Sequence, residues 1–142
     1  MLTQLEADTL IEMKKTFVKR RTISIPLGTD QTHDLISDDK QERFLLDLWR
    51  GTLRLSKLKF QTRGHKVIVL ARLDIDGAPH TNPDGEILDG THLHIYREGY
   101  EDKWAEPLST DDFRNLSNIR QIHEDFCRYC NIETLPFQDS LL

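Results

Sequence analysis

Three histidines lie close together in the second half of the 142-residue sequence, where they could form a catalytic or metal-binding site. His92 and His94 belong to residues 91–100, whose period-two alternation predicts a β-strand with both imidazoles and Tyr96 on one face. The strand repeat would hold these imidazoles about 7 Å apart, within reach of one metal ion or one phosphate. His80 comes earlier, in a loop rich in glycine and proline, and such loops often carry functional residues.

Two chemistries are open to this cluster. Three imidazoles and one carboxylate would suit a divalent Zn, Mn or Fe ion, although nothing in the sequence requires one. The candidate metal ligands are His80, His92 and His94, with Asp74, Asp84 or Glu86 as the source of the oxygen. Without a metal, a pair of histidines can act as general base and general acid in phosphodiester cleavage.

Phosphodiester cleavage also needs groups that hold the phosphate. We predict a catalytic set of His80, His92, His94 and Arg97, in which the arginine binds phosphate. Further binding groups are predicted at Arg72, Asp84, Tyr96, Tyr100 and Lys103. The competing interpretation is structural, with half-buried histidines hydrogen-bonded to backbone or carboxylate oxygens.

The net charge of −5 hides a segregation of charge along the chain. Residues 50–66 carry six basic side chains and no acid, whereas residues 74–90 carry five acids and no Lys or Arg. A basic surface beside an acidic loop suits either a phosphate-bearing ligand or a charged host protein as partner. The acidic total argues against a general RNA-binding protein.

A second group of potential ligands lies near the C-terminus. His123, Cys127 and Cys130 have the i, i+4, i+7 spacing of one helix face. A fourth ligand is missing, and the three residues adjoin an apolar stripe, so the sequence favours a place in the core over a metal site.

The elements that must position these residues predict a single α+β domain over residues 1–142. We expect an N-terminal helix over 1–21, a mostly antiparallel β-sheet over 22–107, a C-terminal helix over 109–131, and a tail over 133–142 that could dock weakly or fray. Thr3 and Glu6 form a capping box for the first helix, and Ser109 or Thr110 would supply the hydroxyl cap of the second.

Alternation and turn residues define the strands of that sheet. The predicted strands cover residues 22–26, 33–37, 42–49, 53–60 with a bulge or break near Ser56, 66–74, 91–100 and 103–105, and a helical turn is the alternative for 42–49. Residues 76–90 are predicted to form a loop, with a β-turn from Asn82 to Gly85.

Several strings resemble a known family. They are APHTNPDG at residues 78–85, HLHIYREGY at 92–100, KWA at 103–105 and FCRYCNI at 126–132. They are similar to a family of short bacterial and phage proteins that is described only as a domain of unknown function. The resemblance implies a single-domain cytosolic protein of the mobile-element type. It assigns no catalytic residue, but it makes toxin, host-takeover and anti-defence roles worth testing.

These observations leave two main functions open. The first is a small, toxin-like nuclease or phosphodiesterase with a histidine-based site. The alternative is a non-catalytic binding protein, such as a phage-type inhibitor or anti-defence protein that uses its segregated charges; a nucleotide pocket without turnover is a third interpretation. The N-terminus lacks a signal-peptide pattern and no apolar run approaches membrane-spanning length, so we expect a soluble, cytoplasmic protein with no membrane partner.

Overall fold

A seven-stranded antiparallel sheet lies at the centre of the computed structural model, which describes residues 1–139. The strand order in the sheet is β1-β2-β3-β4-β5-β8-β9, and β6 and β7 form a separate hairpin. The elements are α1 (Gln4–Glu12), β1 (Lys15–Phe17), β2 (Asp30–Ser37), β3 (Arg43–Arg50), β4 (Leu58–Gly64), β5 (Ile68–Ile75), β6 (His80–Thr81), β7 (Ile87–Leu88), β8 (His92–Ile95), β9 (Ala105–Glu106) and α2 (Ile119–Tyr129). The predicted α+β class, with a helix near each end of an antiparallel sheet, is confirmed.

One face of the sheet is apolar and packs against the helices. Leu48, Phe60, Leu73 and Leu93 are paired in register across four strands, and all are nearly fully buried. Phe126 of α2 packs edge-to-face on Phe60, with ring centroids 6.2 Å apart. Since successive side chains of a strand point to opposite faces, the residues between these positions form the other, polar face.

The N-terminal helix is shorter than predicted. Its capping box at Thr3 and Glu6 is present, but α1 ends at Glu12 and Lys15 already belongs to a strand. The Lys15 ammonium donates to the carbonyls of Ile11 and Met13, so it satisfies the C-terminal end of α1 from outside the helix. Burial lowers the pKa of Lys15 to about 8.

One predicted strand is absent, and another begins later than predicted. Residues 22–26 contribute only an isolated bridge from Ile23 to Phe137, and residues 53–57 form an exposed loop before β4 begins. Leu53 is 97% exposed, so the alternation of leucines there does not reflect burial. The Arg50 guanidinium donates to the carbonyls of Ile25 and Leu55, which ties both irregular segments to the end of β3.

The C-terminal helix begins ten residues later than predicted, at Ile119 instead of 109. Asn118 is its N-cap, and its side chain accepts a hydrogen bond from the Gln121 N–H. Ser109 and Asn115 instead accept from backbone N–H groups two residues ahead, which stabilises turns in place of a helix.

The described part of the tail is docked on the sheet edge. The Glu133 N–H donates to the Lys15 carbonyl, and the Glu133 carboxylate accepts from the Phe17 N–H. Leu135 is buried, so residues 133–139 extend the core, whereas residues 140–142 lie outside the described part. Within residues 1–139, no helix combines the length and the apolar character needed to cross a membrane.

Candidate functional site

Two rows of polar side chains run across the open face of the sheet. Because the strands are paired in register, each row contains one residue from each of β2, β3, β4, β5 and β8. The first row is Asp30, Trp49, Lys59, Asp74 and His92; the second is Thr32, Asp47, Gln61, Arg72 and His94. A pocket of about 530 Å³ opens over these rows, and nine of the ten residues line it together with Lys57 and His80.

The loop from 77 to 90 covers the histidine end of the rows. Its neck is closed by a hydrogen bond from the Gly77 N–H to the Gly90 carbonyl. A β-carbon on Gly90 would lie 2.1 Å from the Gly77 carbonyl oxygen, so this close approach requires glycine.

Asn82 fixes the position of this loop. Its side-chain amide donates to the Ala105 carbonyl and accepts from the Ala105 N–H, both at 2.9 Å, so the amide acts as an added strand partner for β9. The predicted β-turn is confirmed, with the Gly85 N–H donating to the Asn82 carbonyl. Sequence reasoning found the turn but missed the anchoring role, because the partner is a backbone 23 residues away.

The three predicted histidines come together under this loop. The ring centroid of His80 lies 4.6 Å from that of His94 and 5.6 Å from that of His92, and the two strand histidines are 4.9 Å apart. His92 and His94 are each 1% exposed, whereas His80 is half-buried. The predicted histidine cluster therefore exists, and His80 is its most accessible member.

Each imidazole is anchored through one ring nitrogen to a backbone carbonyl. His92 Nδ1 lies 2.6 Å from the Asp89 oxygen, His94 Nδ1 lies 2.8 Å from the Asp102 oxygen, and His80 Nε2 lies 2.8 Å from the Lys103 oxygen. A carbonyl only accepts hydrogen bonds, so these ring nitrogens are protonated. The second nitrogen of each ring remains for other chemistry.

Asp74 and Arg72 determine what those second nitrogens can do. His92 Nε2 lies 3.2 Å from Asp74 Oδ2, an acceptor, so this contact is a hydrogen bond when His92 is an imidazolium. His94 Nε2 lies 3.1 Å from Arg72 Nη2, a donor, and 3.6 Å from Asp74 Oδ2, so it accepts from the guanidinium when His94 is neutral. Asp74 thus favours a second proton on His92, and Arg72 favours a bare nitrogen on His94.

Asp74 is an ionised group in this network. Burial by itself would raise the pKa of Asp74, but His94, the charge of Arg72 and His92 outweigh it, so the pKa is lowered. Arg72 also donates from Nη1 to the Asp102 carboxylate, at 3.1 Å. Asp102 binds His94 through its carbonyl and Arg72 through its carboxylate. It was not predicted as a site residue, because it lies in a segment that carries no recognisable motif.

The same side chains offer a partial metal-ligand set. Within the described residues, Asp74, His92 and His94 form a group whose ligand atoms all lie within 4.8 Å of one another. The donors, two imidazoles and a carboxylate, fit zinc, and their backbone anchors resemble the outer shell of a metal site. The predicted ligand His80 is not in this group, and the Arg72 guanidinium meets the lone pair that His94 would give to an ion.

Arg97 and the two predicted tyrosines are not brought into the pocket. The Arg97 guanidinium stacks over the Trp104 ring at 4.1 Å, and Tyr100 packs against the same ring. The Tyr96 hydroxyl donates to the Leu2 carbonyl, so it is fixed near the N-terminus. Arg72 takes the place among the histidines that the sequence assigned to Arg97, because β8 ends at Ile95 and the chain turns away.

The side chains of Asp84 and Lys103 were predicted to bind a ligand, but neither lies in the pocket. The Asp84 carboxylate accepts from the Glu86 N–H and stabilises the turn. Lys103 contributes its backbone carbonyl to His80, while the residue itself is exposed. Neither side chain is among the pocket-lining residues.

The second predicted group, His123, Cys127 and Cys130, lies in the core as the sequence favoured. All three residues are at most 1% exposed. Burial lowers the pKa of His123 to about 4 and raises the pKa of Cys130 to about 12. A neutral imidazole and protonated thiols are expected of packing residues.

The acidic and basic stretches are neighbours in the structure. Arg54 forms an ion pair with Asp76 at 2.9 Å, and Lys59 is paired in register with Asp74. The Arg54–Asp76 ion pair therefore neutralises part of the charge that is segregated along the sequence, whereas Lys59 forms no ion pair within the described residues.

A family model matches residues 2–132, nearly the whole chain, and its description is a family of unknown function, DUF6978. The chain belongs to this family. No curated protein and no solved structure matches the chain significantly. Membership confirms the resemblance seen in the sequence, and the function must be argued from the site itself.

Proposed function

We propose that this member of DUF6978 is an enzyme that cleaves phosphodiester bonds, as a small nuclease or phosphodiesterase of the toxin-like type. One observation carries the proposal. Three imidazoles, each anchored by one ring nitrogen, meet an ionised aspartate and an arginine at one end of an open pocket. General acid–base catalysis needs two groups of opposite protonation state held beside a cation, and this arrangement supplies them.

The accessible His80 is assigned as the general base. Its Nε2 is held by the Lys103 carbonyl, which leaves Nδ1 with a free lone pair. His92 is assigned as the general acid, because its Nε2 faces the Asp74 carboxylate, which accepts a hydrogen bond from that nitrogen when it carries a proton. His94 is a positioning residue, since its Nε2 accepts from Arg72 and orients the guanidinium.

Arg72 makes a reaction without metal the better-supported form. Its guanidinium already places a positive charge beside Asp74 and His94, where an ion would otherwise bind. Phosphate oxygens entering the pocket would meet this charge together with Lys57 and Lys59. The expected activity therefore persists in a chelator such as EDTA.

The test uses purified protein in EDTA with three substrates: an RNA oligonucleotide, a DNA oligonucleotide and a cyclic dinucleotide. We expect cleavage of at least one, reduced about 10²- to 10⁴-fold in His80→Ala and in His92→Ala. His65→Ala is the matched control, because His65 is a half-exposed histidine outside the pocket. Failure of the wild-type protein to cut any of the three, or full activity in both histidine variants, overturns the proposal.

The burial of His92 and His94 supports a second candidate, a non-catalytic binding protein. Imidazoles that are 1% exposed can serve to hold the loop from 77 to 90 in place, so that the loop and the sheet face grip a host protein. In that case Asp84→Lys with Glu86→Lys abolishes capture of the partner, whereas His80→Ala leaves it intact. Capture that survives the loop reversal contradicts this candidate.

A further inference from the structure

One end of the pocket has no role in the acid–base reaction proposed for the histidines. Trp49, Lys57 and Lys59 line the end away from the loop. Trp49 is paired in register with Lys59, which is paired with Asp74, so two strand spacings, roughly 10 Å, separate the indole from the Asp74 position. This distance places an aromatic surface beside the proposed site of cleavage.

The unpaired charges around the indole are those of the two lysines and of the exposed Asp30, whereas Asp47 is already paired. The Asp47 carboxylate accepts hydrogen bonds from Nε and Nη2 of Arg63, at 2.7 and 2.9 Å. It accepts further hydrogen bonds from Gln61 and Thr32. Burial alone would raise the pKa of Asp47, but these hydrogen bonds outweigh it and lower the pKa. Asp47 is thereby neutralised within the sheet.

Lys57 and Lys59 are left with their full charges. Neither ammonium is in an ion pair within residues 1–139, and Lys57 Nζ lies 5.9 Å from the Trp49 ring centroid. The exposed Asp30 is the acid that remains at this end. Two cations flanking a half-buried indole are the combination that binds single-stranded nucleic acid, with a base on the ring and phosphates on the ammonium groups.

The chemistry of the lining also limits the source of the nucleophile. None of the described residues that line the pocket carries a hydroxyl or a thiol. Water or the substrate itself is then the source of an attacking hydroxyl. RNA provides such an oxygen beside every phosphorus atom, the 2′-hydroxyl, which a general base can activate without a protein nucleophile.

We infer that the substrate is single-stranded RNA, with one base stacked on Trp49, the backbone along Lys57 and Lys59, and the 2′-hydroxyl as the nucleophile. This inference rests on the proposed function and deepens it. His80 Nδ1 takes the proton of the 2′-hydroxyl, and the 2′-oxygen bonds to phosphorus. The bond from phosphorus to the 5′-oxygen breaks, and His92 Nε2 gives its proton to that oxygen. The products are a 2′,3′-cyclic phosphate and a free 5′-hydroxyl.

The first experiment tests the nucleophile. An RNA oligonucleotide is compared with the same sequence in which single positions, one at a time, carry 2′-deoxyribose. Each deoxy position should block cleavage at its own 3′ phosphate and leave other bonds cut at the normal rate. Cleavage at deoxy positions, or of DNA at the RNA rate, overturns the RNA inference while the proposed phosphodiesterase stands. Absence of any cleavage defeats both.

The second experiment tests the stacking surface by binding alone. Fluorescence anisotropy with a labelled 2′-O-methyl RNA, which has no free 2′-hydroxyl, separates binding from turnover. We expect Trp49→Ala to raise Kd roughly 5- to 150-fold and Trp49→Phe to retain most of the affinity. Trp104→Phe is the matched control, because Trp104 stacks with Arg97 outside this pocket.

The two lysines are tested by salt dependence. Lys57→Ala with Lys59→Ala should reduce the slope of log Kd against log salt by roughly 1.4, about 0.7 for each lost phosphate contact. An unchanged slope, or unchanged binding in Trp49→Ala, overturns this subsite. Binding that is lost in Trp104→Phe but kept in Trp49→Ala would place the nucleic acid elsewhere and also overturn it.

Discussion

Two buried polar clusters in this protein differ in what they leave unused. The first surrounds Lys15, which is 0% exposed. Its ammonium donates to the carbonyls of Ile11, Met13 and Cys130, at 2.8, 2.9 and 2.7 Å. All three N–H groups are occupied, and the result is a junction between the C-terminal ends of α1 and α2.

The second cluster, around Asp74, is less deeply buried and is incompletely paired. Each of the three histidines uses one ring nitrogen on the backbone, and within the described residues His80 keeps its second nitrogen without a partner. Asp74 Oδ1 and Arg72 Nε have no hydrogen-bond partner within the described residues, although they lie 3.3 Å apart. Hydrogen-bonding groups that remain without partners beside a pocket thus distinguish this candidate reaction site from the structural junction at Lys15.

The largest expected effect is a loss of catalytic activity when Asp74, in the second cluster, is substituted. Asp74→Asn keeps the shape but removes the charge that holds a proton on His92, so cleavage should fall about 100-fold or more. The measurement is kcat/KM on an RNA substrate. A wild-type kcat/KM in Asp74→Asn would contradict a catalytic role for this cluster. An equal loss of kcat/KM in folded Lys15→Met would contradict a purely structural role for the Lys15 cluster.

The next effect is on stability in the first cluster. Lys15→Met removes the donor from three carbonyls and should lower the free energy of unfolding by about 2–4 kcal/mol. Urea denaturation measures this change, with Lys59→Met as the exposed control. A loss below about 0.5 kcal/mol would show that water or a shifted backbone can satisfy these carbonyls.

A smaller effect is expected at the neck of the covering loop. Gly90→Ala places a methyl group against the Gly77 carbonyl, which should open the neck and displace His80. We expect a loss of roughly 10-fold in kcat/KM and about 1–3 kcal/mol in stability. Gly85→Ala is the comparison variant, because a β-carbon there meets no atom within 4 Å and the cost is only that of its positive φ. Equal effects of the two substitutions would contradict a specific role for the neck.

The smallest expected effect is the acid dependence that Asp74 contributes. Its lowered pKa means that the ionised form is favoured in the folded state, so its contribution to stability is complete above the ordinary aspartate pKa, about 4. That contribution should be lost as the pH falls below about 4, towards the folded-state pKa. Thermal unfolding of wild type and Asp74→Asn should therefore converge at low pH. Curves that stay parallel down to pH 2 would contradict the assignment.

The central strands could be predicted from sequence because their local patterns agree with their environment. The continuous apolar centre of β5 identified it as a central strand, and β3 was favoured as a strand because a turn follows its apolar run. The alternation at residues 53–55 was misleading, since Leu53 is 97% exposed. The sequence pattern alone does not show which apolar side chains will be covered by other parts of the fold.

Helix ends and the full site depend on distant backbone groups, which the sequence does not display. The end of α1 depends on Lys15, whose third acceptor is the Cys130 carbonyl, 115 residues away. The histidine cluster was predictable from spacing, but its anchors are carbonyls of Asp89, Asp102 and Lys103, to which residue type gives no guide. Arg72 and Arg97 were both candidates, and the pairing of Arg72 with His94 decided between them.

The most direct test of the account is the chemical analysis of products from a 5′-labelled RNA incubated with the protein in EDTA. The account predicts fragments that end in a 2′,3′-cyclic phosphate with wild type and Lys15→Met, and none above background with His80→Ala or His92→Ala. Intact RNA with the wild-type protein, or the same cyclic-phosphate fragments from the two histidine variants, would contradict it.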